Sequence, residues 1–253
     1  MTQHVQPPKL IFVIGGVMSG IGKGVTSSSI GNVLQACGYQ VSAIKADPYL
    51  NVDAGTMNPT EHGEVFVLDN GLETDQDMGN YERFLSTSMP PENYMTNGMI
   101  FKSVIDRERA GGYHGKCVEP TYHITEEIKD RIQCSIEQTK AEITVVEIGG
   151  TIGEYQNAIF IEAARQLHLK NPLEVCFVMV TYLPLPNTIG ELKTKPTQNA
   201  VRQLNSYGVH PHVIVARSEQ PLDQKRRDKI ALMCGLQSEN IISAPDATNI
   251  YHV

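Results

Sequence analysis

The sequence predicts an α/β fold with a mainly parallel, doubly wound sheet, and three of its features say so. Short apolar runs rich in β-branched residues recur along the chain, helix-length segments with apolar residues three and four apart lie between them, and the first run opens straight into a glycine loop. Runs of that kind suit strands buried on both faces. Their alternation with helical segments implies parallel strands joined by helices on both sides of the sheet. In such a sheet ligands gather at the carboxyl ends of the strands.

The first strand is "LIFVIG" at 10–15, followed by the loop "GGVMSGIGKG" and by helix-forming residues from about Lys23. Strand, glycine loop and helix stand in the order a phosphate site requires, with backbone N–H groups and the helix N-terminus facing the anion. Lys23 would meet phosphates there as a point charge. The spacing departs from the usual G-x-x-x-x-G-K-[ST] pattern. Five residues separate Gly16 from Gly22, Val17 stands where the first glycine is expected, and Gly24 takes the place of the hydroxyl residue that helps hold Mg²⁺. The bland alternative is a glycine turn that only lets strand and helix pack.

"VSAIKAD" at 41–47 reads as the second strand. From Asp47 to about Gly115 the chain is rich in Gly, Pro, Asn and charge, and so long an irregular insertion within a compact domain is functional or disordered. Its aromatic residues and the strand-like "GEVFVL" favour order. Ile124, Ile128, Ile132 and Ile136 mark a helix, "ITVVEIGG" at 143–150 a strand, and Ile159, Ala163 and Leu167 another helix. "VCFVMVTYL" at 175–183 and "HVIVAR" at 212–217 complete the strands.

Because Gly24 offers no side-chain oxygen, a metal at this loop needs carboxylates from elsewhere. Glu147, near the end of a buried strand, occupies a Walker-B-like position, where an ionised carboxylate is costly without a cation or hydrogen bonds. Asp77, in "ETDQD", is the second candidate, against the alternative of a solvated acidic loop. "KTKPTQ" at 193–198 places two lysines just ahead of a proline, so Lys195 is expected to be extended. Lys193, Lys195, Thr197 and Gln198 then surround one loop or helix start suited to a second polyphosphate, or else form a solvated basic turn. Lys229, in "RRDKIALMC", fits the polar face of an amphipathic helix.

A chain of 253 residues suits one large domain. Its formal net charge of −7 argues against a general nucleic-acid binder. "LIFVIGGV" is too short to cross a bilayer and "MTQHVQPPK" is a polar tail without signal-peptide features, so a cytoplasmic protein is expected. Five cysteines are scattered without a C-x-x-C pair, and buried structural thiols are the expectation for all of them.

"GGVMSGIGKG", "KADPYLNVDAGTMNPTEHGEVFV", "ETDQDMGNYERF", "VEIGGTIGE" and "KTKPTQ" appear in the order found in CTP synthases, which the sequence resembles over nearly all of its length. The G-x-x-x-x-x-G-K spacing also resembles that of dethiobiotin synthetase, so the resemblance implies a P-loop NTPase-like, dethiobiotin-synthetase-like sheet. It implies a single ATP-dependent amidoligase domain over 1–253, with an ordered insertion at 47–115. The implied reaction is ATP-dependent phosphorylation of UTP at O4, then displacement of phosphate by ammonia to give CTP.

On this resemblance Ser19, Gly20, Ile21, Gly22, Lys23, Gly24 and Val25 surround the ATP phosphates, and Arg217, Asp246 and Ala247 lie at the adenine. Lys45 assists at the transferring phosphoryl group, and Asp77 and Glu147 match the magnesium ligands. Ser19, Glu154, Gln156, Lys193, Thr194, Lys195, Gln198 and Lys229 match contacts to UTP or CTP, with Lys229 coming from a neighbouring subunit of a homotetramer. His62 matches a loop that gates ammonia entry.

Two positions depart from the family pattern: Gln156 replaces a Glu that accepts from the pyrimidine nucleotide's ribose, and Gly20 replaces a common Ser. UTP affinity and feedback by CTP are the properties those changes touch. None of the cysteines has the setting of a glutaminase nucleophile, so the expectation is a chain without a glutaminase domain that uses free ammonia. The competing expectations are a dethiobiotin-type ligase, which the insertion and the hexapeptide oppose, and a catalytically silent nucleotide-binding scaffold.

Overall fold

The computed structural model describes residues 9–186 and 190–253, apart from the side chain of His62. In chain order the elements are β1 (Lys9–Gly15), α1 (Lys23–Ala36), β2 (Val41–Asp47), α2 (Pro59–His62), β3 (Val65–Val67), β4 (Glu73–Asp75), α3 (Gln76–Leu85), β5 (Tyr94–Thr96) and α4 (Asn97–Arg109). They continue with α5 (Thr125–Thr139), β6 (Ile143–Ile148), α6 (Ala158–Lys170), β7 (Val175–Tyr182), α7 (Lys195–Ser206), β8 (Val213–Ser218), α8 (Gln224–Cys234) and β9 (Ile241–Pro245).

Seven strands form one sheet in the order β5-β2-β6-β1-β7-β8-β9, and each neighbouring pair is parallel. β3 and β4 form a separate antiparallel hairpin. β6 is buried along its full length and β1 nearly so, which is why their sequences read as unbroken apolar runs. One face of the sheet, with Phe12, Ile14, Ile44 and Ile148, packs against α4, α5, α6, α7 and α8 through residues such as Ile100, Ile128, Phe160, Leu204 and Ile230. The opposite face, with Val13, Ala43 and Val145, meets Met78, Tyr81 and Leu85 of α3 and the half-buried Ile30 and Leu34 of α1. The sheet is therefore doubly wound, as the sequence predicts.

The segment 47–115 is more regular than its composition suggests. It contains α3, α4 and β5, and β5 pairs with β2 at the edge of the main sheet. β5 is only three residues long, and its partners Asn93 and Ser135 tie it in from outside the strand: Asn93 Nδ2 donates to Ser42 Oγ (2.7 Å) and Ala43 O (2.8 Å), and Ser135 Oγ donates to Asn93 Oδ1 (2.8 Å). Such polar tethers leave no periodic apolar signal.

Two smaller expectations are corrected. Lys195 is the first residue of α7 and not extended, because Pro196 sits in the first turn, where its missing N–H would have lacked an intrahelical partner. Only Cys234 is buried; Cys176 is half-buried and Cys37, Cys117 and Cys134 are exposed. For Cys134 the reason is helical phase, since Ile128, Ile132, Ser135 and Ile136 take the inward face of α5. Residues 1–8 of the polar tail lie outside the described residues, and Lys9 already belongs to β1.

Candidate functional site

At the carboxyl ends of β1, β2 and β6 the chain encloses a cavity of about 490 Å³, lined by Ser19 to Gly24, Lys45, Asp77, Glu147 and Glu154 among others. The strand order makes these neighbours, because β6 lies between β1 and β2. Register then aligns the chemistry: Lys45 pairs with Glu147 across β2 and β6, and Val13 pairs with Glu147 across β1 and β6.

The loop between β1 and α1 ends in Gly22, at φ 80° and ψ 38°, a left-handed conformation that costs a residue without Cβ nothing. A Cβ there would also overlap the Arg217 guanidinium. No side chain caps α1 and its first turn holds no acid, so its leading N–H groups are left for an anion in the cavity. Lys23 Nζ donates to Gly150 O at 2.8 Å, which spans the gap between the loop and the exit of β6. Burial lowers the Lys23 pKa, with the charge of Lys45 adding to that and the acids opposing it.

Gly24 explains the irregular motif. A Cβ at this position would overlap the Asp77 carboxylate, whose Oδ1 and Oδ2 lie directly over the Gly24 backbone. The space that a hydroxyl side chain fills in the usual pattern is thus taken by a carboxylate from another helix. α3 delivers it: Asp75 caps the helix by accepting from Asp77 N (2.8 Å), and Asp77 lies in the first turn, where the helix dipole favours negative charge.

Lys45 is the centre of charge. Its ammonium pairs with Asp77 Oδ2, lies 2.9 Å from Glu147 Oε1, and has Asp75 Oδ1 at 3.7 Å and Asp47 Oδ1 at 3.8 Å. Burial works to lower the Lys45 pKa, but Asp77, Glu147, Asp47 and Asp75 outweigh it and hold the group well above its ordinary value. For Glu147 burial wins, and its pKa is raised despite Lys45 and a hydrogen bond from Tyr81 Oη (2.5 Å). Asp47 is pushed up to about 7 by burial, with Lys45 opposing and the neighbouring acids adding. Asp77 stays below its ordinary value because Lys45 overcomes its desolvation.

The residues present fit a divalent cation of the Mg²⁺ kind. Both Asp77 and Glu147 reach one cationic atom, the Lys45 nitrogen, and Gly24 clears the room for the first of them. Among the described residues no group of three or more His, Cys, Asp or Glu forms a ready-made cage. Two carboxylates that share a cation with substrate oxygens are what this ion ordinarily takes.

The other predicted residues divide by location. Arg217 Nη1 donates to Ile21 O (3.1 Å) and its Nη2 donates to Asp246 Oδ1 (2.7 Å), so Arg217 and Asp246 join the outer wall of the glycine loop. Ala247 is exposed beside Asp246, and Val25 is half-buried in the first turn of α1 behind the loop. Glu154 accepts from Thr151 N (3.0 Å) and from Gln156 Nε2 (2.8 Å), and both Glu154 and Gln156 line the cavity.

The hexapeptide side chains do not line it. Lys193 pairs with Glu191 at 2.5 Å, Gln198 Nε2 donates to Thr194 Oγ1 at 3.1 Å, Lys195 is exposed, and Lys229 is exposed on α8. α7, which the hexapeptide opens, sits behind the site: a Cβ at Gly16 would meet Ala200, and one at Gly153 would meet Gln203. His62 ends α2, and its side chain lies outside the described residues.

Sequence reasoning missed Asp47, Asp75 and Tyr81. Asp47 was findable, because it lies two residues beyond Lys45 on a strand and so faces the same side. Asp75 and Tyr81 depend on where α3 docks, which no local pattern states.

The family model described as CTP synthase N-terminus matches residues 9–253. The chain is 50% identical over 246 residues to a CTP synthase of Methanothermobacter thermautotrophicus, covering 97% of this chain and 46% of that protein. Against a CTP synthase of Pyrococcus horikoshii the identity is 52%, covering 97% of this chain and 45% of the relative. The chain thus spans just under half the length of these curated relatives.

In fold it is similar to the signal recognition particle receptor FtsY of Elizabethkingia anophelis, solved in complex with GDP, with a TM-score of 0.52, 12% identity, and coverage of 98% of this chain and 61% of the other. That likeness is one of fold. With the family match running over 9–253 and half of all aligned residues shared with CTP synthases, the chain belongs to the CTP synthase N-terminus family.

Proposed function

We propose that residues 9–253 carry the synthetase reaction of CTP synthase, with the cavity at the glycine loop holding ATP beside UTP. The observation that supports this best is the Asp77 carboxylate seated over Gly24 and facing Glu147 across the Lys45 ammonium. A scaffold that only bound nucleotide through its loop would have no need of two converging acids there.

In the proposed reaction the γ-phosphoryl group leaves ADP as its P–O bond breaks, and a new P–O bond forms to O4 of the uracil ring as N3 gives up its proton to solvent. Ammonia then attacks C4, the C4–O bond breaks, phosphate departs, and the nitrogen loses a proton to give CTP. The N-terminus of α1 and Lys23 would bind the ATP phosphates, and Lys45 would follow the charge that moves during transfer. Asp77 and Glu147 would hold Mg²⁺, which when bound supplies neutralisation of phosphate charge. Arg217 and Asp246 would border the base of ATP, and Glu154 with Gln156 would face the pyrimidine nucleotide.

Gln156 keeps an acceptor for this task. Its Nε2 donates to a carboxylate that can only accept, so the amide is oriented by Glu154 and its Oε1 is left for a hydroxyl. The hexapeptide and Lys229 lie away from the cavity within one chain, which accords with a UTP site completed by a neighbouring copy in a homotetramer.

Ammonia is the nitrogen donor in this reading; burial pushes the Cys176 thiol up and the Cys234 thiol up to about 11, so neither of these two is an activated nucleophile. No described helix is long and apolar enough to cross a membrane, and we place the protein in the cytoplasm. The test is incubation with ATP, Mg²⁺, UTP and ammonium, with CTP and ADP as the expected products. Nucleotide binding without either product would favour a silent scaffold, and phosphorylated or carboxylated products from other substrates would favour a ligase of the dethiobiotin type.

A further inference from the structure

The ammonium of Lys45 sits where a metal would otherwise neutralise the acids. Asp77 and Glu147 are in contact with it, Asp75 and Asp47 lie at 3.7 and 3.8 Å, and the lysine side chain is 6% exposed. Tyr81 holds the far oxygen of Glu147, and Asn80 Nδ2 donates to Asp77 Oδ1 at 3.4 Å, so both carboxylates are kept in place independently of Lys45. Lys23, a second ammonium at this end of the sheet, is directed to Gly150 O.

We propose that Lys45 is a placeholder cation, held among the four acids until a divalent ion takes its position and its ammonium moves to the nucleotide phosphates. This rests on the synthetase reading above. It assigns Lys45 two successive partners: carboxylates before the metal enters, phosphate oxygens afterwards. The arrangement spares the buried acids from facing one another unneutralised, which is costly at low local dielectric. It also makes metal entry and the delivery of Lys45 to the phosphates a single exchange, so the cation binds weakly until nucleotide is present to receive the lysine.

The experiment measures Mn²⁺ binding in the absence of nucleotide, by electron paramagnetic resonance of the free ion, for wild type, Lys45→Met and Lys45→Arg. Lys45→Met should tighten Mn²⁺ binding by roughly ten- to a hundredfold, the order expected from removing one unit charge a few ångströms away at a partly buried site. Lys45→Arg, which keeps the charge, should show no such gain. Thermal unfolding adds a second readout: Lys45→Met should melt below wild type in chelator and show the larger rise with Mn²⁺.

If Lys45→Met is unfolded in chelator, recovery of the fold on adding Mn²⁺ reports the same exchange. Unchanged Mn²⁺ affinity in a folded Lys45→Met, or a chain that stays unfolded at saturating Mn²⁺, overturns the proposal. Wild-type CTP formation separates the two readings. A wild type that makes CTP while Lys45→Met gains no affinity defeats the placeholder alone, whereas a gain in affinity with no CTP from wild type defeats the synthetase reading.

Discussion

Gly24 shows how one missing side chain defines this site. In a helix, Ala is favoured over Gly by about 1 kcal/mol, so Gly24→Ala in the first turn of α1 would ordinarily stabilise. Here the added methyl overlaps the Asp77 carboxylate, and overpacking of that kind costs about 1–3 kcal/mol. We expect Gly24→Ala to lower stability in urea unfolding, and the penalty to shrink by at least about 1 kcal/mol in an Asp77→Ala background, because the two residues contact one another. Equal effects of Gly24→Ala in both backgrounds would mean that Asp77 does not occupy the hydroxyl's place. The substitution should also reduce CTP formation by roughly a hundredfold or more, as expected when a group that stabilises transferring charge is displaced.

The elements are held around the cavity by polar stitches at their ends. Asn97, the first residue of α4, is buried and donates through Nδ2 to Pro48 O at 2.6 Å and to Gln156 O at 2.7 Å, so it clasps the exit of β2 to the turn after β6. Asn97→Leu strands two carbonyls, and a loss of roughly 2 kcal/mol or more is expected in thermal or urea unfolding. Because the clasp ends on Gln156, the KM for UTP should rise more than the KM for ATP; equal changes in both would reduce Asn97 to a structural role. At this scale the sequence was most informative where periodicity speaks. The buried strands β1, β2, β6, β7 and β8 and the helices α5 and α6 all show their apolar runs or spacing, and Lys45 and Glu147 stand near the ends of β2 and β6 while Lys23 opens α1. β5, β9 and α3 did not show themselves, since β5 is three residues held by Asn93, β9 is a short edge, and the acids of α3 read equally as a solvated loop.

Across the whole molecule, the parallel order that sets β6 between β1 and β2 gathers residues 19 to 24, 45 to 47, 75 to 77 and 147 to 156 at one edge of the sheet. A groove of about 640 Å³ lined by Pro48, Leu50, Phe101, Tyr155, Gln156 and Tyr207 among others continues outward from that edge, with Tyr155 97% exposed and Leu50 72% exposed. Pro48 and Gln156 belong to both cavities. If the active form is a homotetramer, specific activity should fall on dilution in step with dissociation followed by sedimentation velocity; full activity in a monomer would confine the site to one chain.

The central claim is that Asp77 and Glu147 replace the missing hydroxyl of the glycine loop and together hold the divalent ion of the nucleotide site. Its most direct test is an anomalous difference map from crystals containing Mn²⁺, UTP and a non-hydrolysable ATP analogue. A single strong peak is expected between the Asp77 and Glu147 carboxylates, beside Gly24, with the Lys45 ammonium moved to phosphate oxygens. A peak elsewhere, with Lys45 still seated between the two acids, would contradict it.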